Sequence, residues 1–274
     1  MTVLPPVAGV VGWPVAHSKS PLIHRFWLQK LGLDGDYSRF PVHPDNLATA
    51  IRALPALGLR GVNITVPHKV TIIDHLDEID ASARSVGAVN TVRISADGRI
   101  VGANTDFEGV LEPIRRLAIR DRAIIIAGTG GAARAALAAA VIAGAARVTI
   151  LARDTDKGAA LLKNAGQAGT ILPLGGPWPQ DPEVALFFNA TSLGMAGMPP
   201  LPIDAGQLPL DATVFDAVYA PLETPLLAAA RARGLRTIDG LQMLVGQAAS
   251  AFEMFFGHSA PRQYDTELRA LLTA

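Results

Sequence analysis

A lysine stands just beyond a run that sets two polar side chains on one face of a strand. In Gly61-Val62-Asn63-Ile64-Thr65-Val66-Pro67-His68-Lys69, alternation along an extended chain puts Asn63 and Thr65 on the same side. Pro67 stops the strand, and Lys69 opens the next element. An ammonium beside two hydrogen-bonding groups can hold or deliver a proton at a ligand oxygen. Most lone lysines are solvated surface, and only the shared crevice distinguishes this one.

Ser18 and Ser20 offer a second chemistry. They lie in Gly12-Trp13-Pro14-Val15-Ala16-His17-Ser18-Lys19-Ser20-Pro21, after the apolar run Val7 to Val11. Pro21 suits the first helical position, which makes Ser20 a natural N-cap. The alternative is that both hydroxyls donate to a ligand carboxylate beside a helix N-terminus. Further on, Gly87-Ala88-Val89-Asn90-Thr91-Val92 and Gly102-Ala103-Asn104-Thr105-Asp106 set Asn90 and Asp106 among apolar residues. Buried polar groups need partners. A polyhydroxylated ligand is one, and structural hydrogen bonds near a hairpin are the other.

A third chemistry belongs to Gly128-Thr129-Gly130-Gly131-Ala132-Ala133, between the apolar run Ala123 to Ala127 and an alanine-rich helix. Strand, glycine turn and helix in that order form a dinucleotide-binding fingerprint. Gly128 permits the turn, Gly130 leaves room for a pyrophosphate, and Ala133 lets the helix pack close. The helix N-terminus presents free N–H groups to phosphate. The next strand ends at Leu151-Ala152-Arg153, where an NAD site usually carries an acid for the ribose 2′-hydroxyl. Arg153 suits a 2′-phosphate instead, and Lys157 adds charge. Asp154 opposes this unless it points away or caps the following helix. NADP is therefore the expected cofactor, with NAD or dual use as the alternative. Asn189-Ala190-Thr191-Ser192 follows another apolar strand and either lines the same crevice or forms a turn and helix cap.

The elements that position these residues alternate throughout, which points to an α/β fold with mostly parallel strands. Strands are expected at Val7–Val11, Tyr37–Val42, Gly61–Val66, Ala88–Ile94 and Arg99–Gly102, the last two flanking the hairpin signal Asp97-Gly98. Helices are expected at Pro21–Leu31 and Asp45–Leu54, and from Asp106 to about Leu117. In the second half, strands at Arg122–Ala127, Arg147–Leu151, Ala185–Asn189 and Thr213–Asp216 accompany a helix at Gly131–Ala143 and a final helix at Gly240–Phe256. Pro173–Pro182 and Pro199–Pro209 read as loops. Two domains follow, residues 1–106 with 240–274 and residues 107–239, with the ligand site expected in the cleft between them.

Composition narrows the function classes. The 274 residues suffice for two modest domains, and half are hydrophobic. Lys plus Arg and Asp plus Glu balance at 24 each, so no basic field favours nucleic acid or an anionic membrane. With no cysteine, disulfides and thiolate chemistry are excluded, and the scattered histidines show no metal-ligand spacing. The segment Met1 to Pro6 lacks the pattern of a signal peptide. A soluble, cytoplasmic protein without a metal is expected.

Together these motifs resemble the shikimate dehydrogenase family, over essentially the whole chain and in the family's order. The likeness is carried by G-W-P-V-A-H-S-K-S-P-L-I-H, G-V-N-I-T-V-P-H-K, G-A-V-N-T, N-T-D, G-T-G-G-A-A-R and N-A-T-S-L-G-M, then by D-A-V-Y-A-P-L-E-T-P-L and D-G-L-Q-M-L-V-G-Q-A. The resemblance implies an N-terminal substrate domain and a C-terminal Rossmann-type domain. It implies reversible NADPH-dependent reduction of 3-dehydroshikimate to shikimate, in aromatic amino acid biosynthesis, by a monomer or homodimer. Lys69 and Asp106 would be the catalytic pair. Ser18, Ser20, Asn63, Thr65, Asn90, Tyr219 and Gln247 would line the substrate pocket. Gly128 to Ala132, Arg153, Asn189, Thr191, Ser192, Gly240 and Met243 would lie at the cofactor. Quinate or an aminated analogue, with NAD or both cofactors, is the alternative within the family. Three positions depart from the pattern. Arg25 replaces a usual Asn near the first helix, where a subfamily with another substrate would differ. Ala152 replaces Asn, and Asp154 a frequent Thr.

Overall fold

The structure is a computed structural model describing residues 4–178 and 180–274. Residues 1–3, on which part of the signal-peptide expectation rests, and Pro179, inside the expected loop Pro173–Pro182, lie outside the described residues. In chain order the elements are β1 (Val7–Gly12), α1 (Ser20–Leu31), β2 (Asp36–Pro41), α2 (Leu47–Ala53), β3 (Gly61–Ile64), β4 (Glu78–Ile79), α3 (Ala81–Val86), β5 (Thr91–Ile94) and β6 (Ile100–Ala103). There follow α4 (Asp106–Ile114), β7 (Ala123–Ala127), α5 (Gly131–Ile142), β8 (Arg147–Ala152), α6 (Thr155–Asn164), β9 (Thr170–Pro173) and β10 (Val184–Asn189). The last are β11 (Thr213–Asp216), α7 (Pro225–Ala232), β12 (Arg236–Ile238), α8 (Gly240–Phe256) and α9 (Asp265–Thr273).

The chain forms two compact units, one comprising the chain up to Thr105 with Gln247–Ala274, the other Asp106–Gly246. The breaks thus fall after Thr105 and inside α8, where the sequence reading put them after residues 106 and 239.

The first unit holds a six-stranded sheet in the order β2-β1-β3-β5-β6-β4. β1 runs parallel to β2 and β3, and β3-β5-β6 is antiparallel, with the Asp97-Gly98 turn joining β5 to β6. Val11, Ile51, Val62, Ile64, Ile72, Val89 and Val92 form a core against this sheet. Trp27 on α1, Tyr37 on β2 and Phe252 and Phe255 on α8 are buried as well. Their rings, with that of Phe256, surround His24.

The second unit is a six-stranded parallel sheet in the order β12-β11-β10-β7-β8-β9. Read from the far edge, the unit's strands take the doubly wound order 3-2-1-4-5-6. The strand order reverses between β7 and β10, and in such sheets ligands bind beyond the carboxyl ends at that point. β7 and β10 are buried along their whole length, as continuous apolar runs covered on both faces must be. α5 packs by its alanines, with Ala133, Ala135, Ala136, Ala139 and Ala140 all buried.

Several elements differ from the sequence reading. α4 stops at Ile114, just past Pro113, rather than near Leu117. α8 is not the final helix, since α9 follows it and packs on α1. β3 ends at Ile64, so Thr65 lies in the turn beyond the strand. Among the described residues no helix is long and apolar enough to cross a membrane.

Candidate active site

In the first unit Ser18 bonds Ser20, and Asn63 and Asn90 belong to one hydrogen-bonded set. Ser18 Oγ donates to Ser20 Oγ at 3.2 Å. The Tyr37 O–H donates to Asn63 Oδ1 at 2.6 Å. Asn63 Nδ2 donates to Thr91 Oγ1 at 2.9 Å and to the Asn90 carbonyl at 3.3 Å. Asn90 Oδ1 accepts from the Thr91 hydroxyl at 3.0 Å and from the Thr105 amide at 2.7 Å, and its Nδ2 donates to Thr105 Oγ1 at 3.1 Å. The line runs unbroken from Tyr37 to Thr105, one residue before Asp106. Burial pushes the Tyr37 phenol well above its ordinary pKa, so it stays a donor.

Ser20 is not the N-cap. Lys19 holds that position without a side-chain cap bond, and Ser20 is the first helical residue. Its hydroxyl accepts from Ser18 instead of capping the helix's free N–H groups, which suits it to a ligand network. Thr65 is half-buried, its amide bonded to the Val11 carbonyl at 2.9 Å. Lys69 is half-buried in the turn beyond β3, and its carbonyl accepts from the Val89 amide at 2.7 Å. Gln247 is buried on α8.

Arg25 is not part of this set. It is exposed on α1 and pairs with Asp36 through Nε at 2.7 Å and Nη2 at 3.3 Å. Its guanidinium holds the Asp36 carboxyl below the usual range. This departure from the family pattern ties α1 to β2.

In the second unit Gly128 ends β7 with φ +112°, and a Cβ there would stand 3.2 Å from the Ala190 carbonyl and the Thr191 methyl. Only glycine satisfies both constraints. Gly130 caps α5 without a side chain, and a Cβ on it would meet nothing within 4 Å. Open space above uncapped helix N–H groups fits a dinucleotide pyrophosphate. Arg153 stands exposed just past β8. Asp154 caps α6, accepting from the Lys157 amide at 3.1 Å, and pairs with Lys157 Nζ at 3.3 Å. The carboxylate is thus engaged with its own helix, which answers the electrostatic objection to a 2′-phosphate beside Arg153.

Asn189 closes β10. Its Oδ1 accepts from the Thr191 amide at 3.0 Å and hydroxyl at 2.7 Å, and its Nδ2 donates to Asp216 Oδ1 at 2.9 Å. Asp216, fully buried, also accepts from the Val218 amide at 3.0 Å and the Thr224 hydroxyl at 2.7 Å. Desolvation raises its pKa against those bonds. Ser192 is exposed. Tyr219 is half-buried, with burial raising its phenol. Gly240 opens α8 where a Cβ would meet the Ala217 and Val218 carbonyls within 2.5 Å. Met243 is buried on the same helix. Lys69 and Gln247 fall in the first unit, Asp106, Tyr219 and Met243 in the second.

A glycine turn at the switch point of a parallel sheet defines a Rossmann-type dinucleotide-binding unit, here paired with a second α/β unit rich in buried polar residues. Residues 10–92 match the shikimate dehydrogenase substrate binding domain, and residues 240–267 the shikimate 5′-dehydrogenase C-terminal domain. A shikimate dehydrogenase (NADP(+)) of Sphingopyxis alaskensis is 49% identical, over 98% of this chain and 97% of that protein. A solved shikimate dehydrogenase in complex with NADP+ superposes with a TM-score of 0.90 at 34% identity, covering 98% and 96% of the two chains. A quinate dehydrogenase from Corynebacterium glutamicum in complex with NAD gives 0.88 at 30% identity, covering 97% and 99%. The chain belongs to the shikimate dehydrogenase family.

Proposed function

We propose that this protein catalyses the reversible NADPH-dependent reduction of 3-dehydroshikimate to shikimate. The observation that carries the reading is full-length relatedness to shikimate dehydrogenases in a chain that keeps both Lys69 and Asp106. The bound cofactor supplies the hydride. The protein supplies the rest. A ketone becoming an alcohol needs a proton at its oxygen, and Lys69 and Asp106 are the cation and carboxylate that share one there. Ser18 and Ser20 donate to the substrate carboxylate, and Asn63, Thr65, Asn90, Tyr219 and Gln247 meet its hydroxyls. On the cofactor side, Gly128 to Ala132 receive the pyrophosphate and Arg153 the 2′-phosphate. Asn189, Thr191, Ser192, Gly240 and Met243 line the remainder. The unit up to Thr105 with Gln247–Ala274 serves as the substrate domain and Asp106–Gly246 as the NADP domain, acting in the cytoplasm as monomer or homodimer.

The test is steady-state oxidation of shikimate and of quinate, each with NADP and with NAD. The highest kcat/KM is expected for shikimate with NADP. Quinate with NAD outrunning it would replace this reading with that of a quinate dehydrogenase.

A further inference from the structure

The turn that carries Lys69 inverts the usual order of burial. Val66 is 68% exposed and Val70 49%, Pro67 is exposed too, yet His68 between them is 1% exposed. A turn that leaves its valines in water and buries its histidine is not held by apolar packing. What holds it is directional. His68 Nε2 lies 2.9 Å from the carbonyl of Val42. A carbonyl only accepts, so Nε2 carries the proton and donates. The Val42 amide in turn donates to the Gly12 carbonyl at 3.1 Å, which fastens this anchor to the end of β1. Backbone bonds clamp the turn on either side. The Trp13 amide reaches the Val66 carbonyl at 3.0 Å, the His68 amide the Thr65 carbonyl at 3.0 Å, and the Val89 amide the Lys69 carbonyl at 2.7 Å. The imidazole is thus the side-chain root of the turn, one residue from the ammonium's own backbone.

We propose that His68 is a positioning residue for Lys69: its buried Nε2–H bond to Val42 fixes the Lys69 backbone, and through it the place of the ammonium. The proposal rests on the reading that Lys69 acts at the substrate. Its effect therefore belongs to turnover and not to cofactor binding.

The test is a kinetic cycle on the full-length enzyme with shikimate and NADP. His68→Leu, which keeps bulk and removes the donor, is expected to lower kcat about ten- to a hundredfold, since small misplacements of a catalytic group cost that much. KM for NADP should stay within about twofold. His68→Gln carries an N–H near the Nε2 position and should recover kcat to within about threefold of wild type, whereas His68→Asn, one methylene shorter, should not. In a Lys69→Ala background, His68→Leu should add less than about twofold, because a residue acting through Lys69 has nothing left to position. If His68→Leu does not fold, the Gln and Asn variants carry the comparison. Wild-type kcat in the Leu or Asn variant, or an undiminished effect in the Lys69→Ala background, would overturn the proposal. If Lys69→Ala itself retained turnover, the underlying catalytic reading would fall instead, and the two failures are distinct.

Discussion

At the end of β3 the amide of Asn63 gives its hydrogens to Thr91 and Asn90 and takes one from Tyr37, all of it buried. At the end of β7 the chain does the reverse. Gly130 leaves open space over the uncapped start of α5, and Arg153 beyond β8 stands in solvent. At the end of β3 polar side chains are fixed largely by one another, whereas the glycine turn after β7 offers backbone and a helix start, although Asn189, Asp216 and Thr224 interlock nearby at the end of β10. The two devices discriminate differently. A set of interlocked side chains rejects a wrong small ligand by leaving buried groups unpaired. A backbone cradle accepts a pyrophosphate from any dinucleotide. On the proposed reading, choice between cofactors is left to the outlying Arg153.

The comparison breaks most visibly at Lys69. Lys69→Ala should lower kcat by about 10²–10⁴-fold while KM for NADP holds, because on the proposed reading it removes one member of the acid–base pair and no cofactor contact. A loss below about tenfold in steady-state turnover would return Lys69 to the surface. In the other unit Arg153→Ala should shift the ratio of catalytic efficiencies from NADP towards NAD by about ten- to a hundredfold, the worth of a charge-assisted contact. Asp154→Ala should move that ratio the other way and by less, because the carboxylate is already occupied by Lys157. If the wild type prefers NAD and Arg153→Ala leaves the ratio unchanged, Asp154 governs the ribose.

His24 tests how firmly the side-chain set is held. The ring is fully buried, stacked on Tyr37 at 4.0 Å, and among the described residues neither of its nitrogens meets a partner. Burial lowers its pKa from 6.5 to about 3. Above pH 6.5 the imidazole is neutral in folded and unfolded chains alike. Between 6.5 and about 3 the unfolded chain takes up a proton that the folded chain refuses. Stability should therefore fall with pH in that window, by about 1.4 kcal/mol per pH unit. Denaturant titrations from pH 7 to 4 should show this slope in the wild type and its loss in His24→Phe, and equal slopes would refute the assignment. The smallest effect concerns Ser20→Ala. Since the hydroxyl does not cap α1, thermal unfolding should register less than about 0.5 kcal/mol, below a lost N-cap, while KM for shikimate rises.

Much of this was legible in the sequence. The runs Ala123–Ala127 and Val184–Asn189 are apolar without alternation because both faces are covered, and a glycine turn after the first marks the switch point. Short elements left too few residues for any period to register. β4 has two residues, β12 three, and α3 six with its Asp80 cap unread. α7 did carry a signal that went unused, since Thr224 caps it and Pro225 opens it. Partners across strands were illegible for another reason. Tyr37 and Asn63 are 26 residues apart, as Asp216 and Asn189 are 27 apart, and only sheet register brings them together. Arg25 departs from the family pattern at a position where its partner Asp36, 11 residues on, was equally illegible.

The aromatic nest around His24 draws Trp27 and Tyr37 from early in the chain and Phe252, Phe255 and Phe256 from late in it. The unit built on that nest is interrupted by the whole of Asp106–Gly246. During synthesis, at about 5–20 residues per second, its first portion waits on the order of ten seconds for α8 and α9 to emerge. The inserted unit is continuous, so all of its sheet strands are available to pair within that interval. The order of completion on the ribosome thus runs from the inside of the sequence outwards, with the proposed cofactor half finished before the half that holds Lys69.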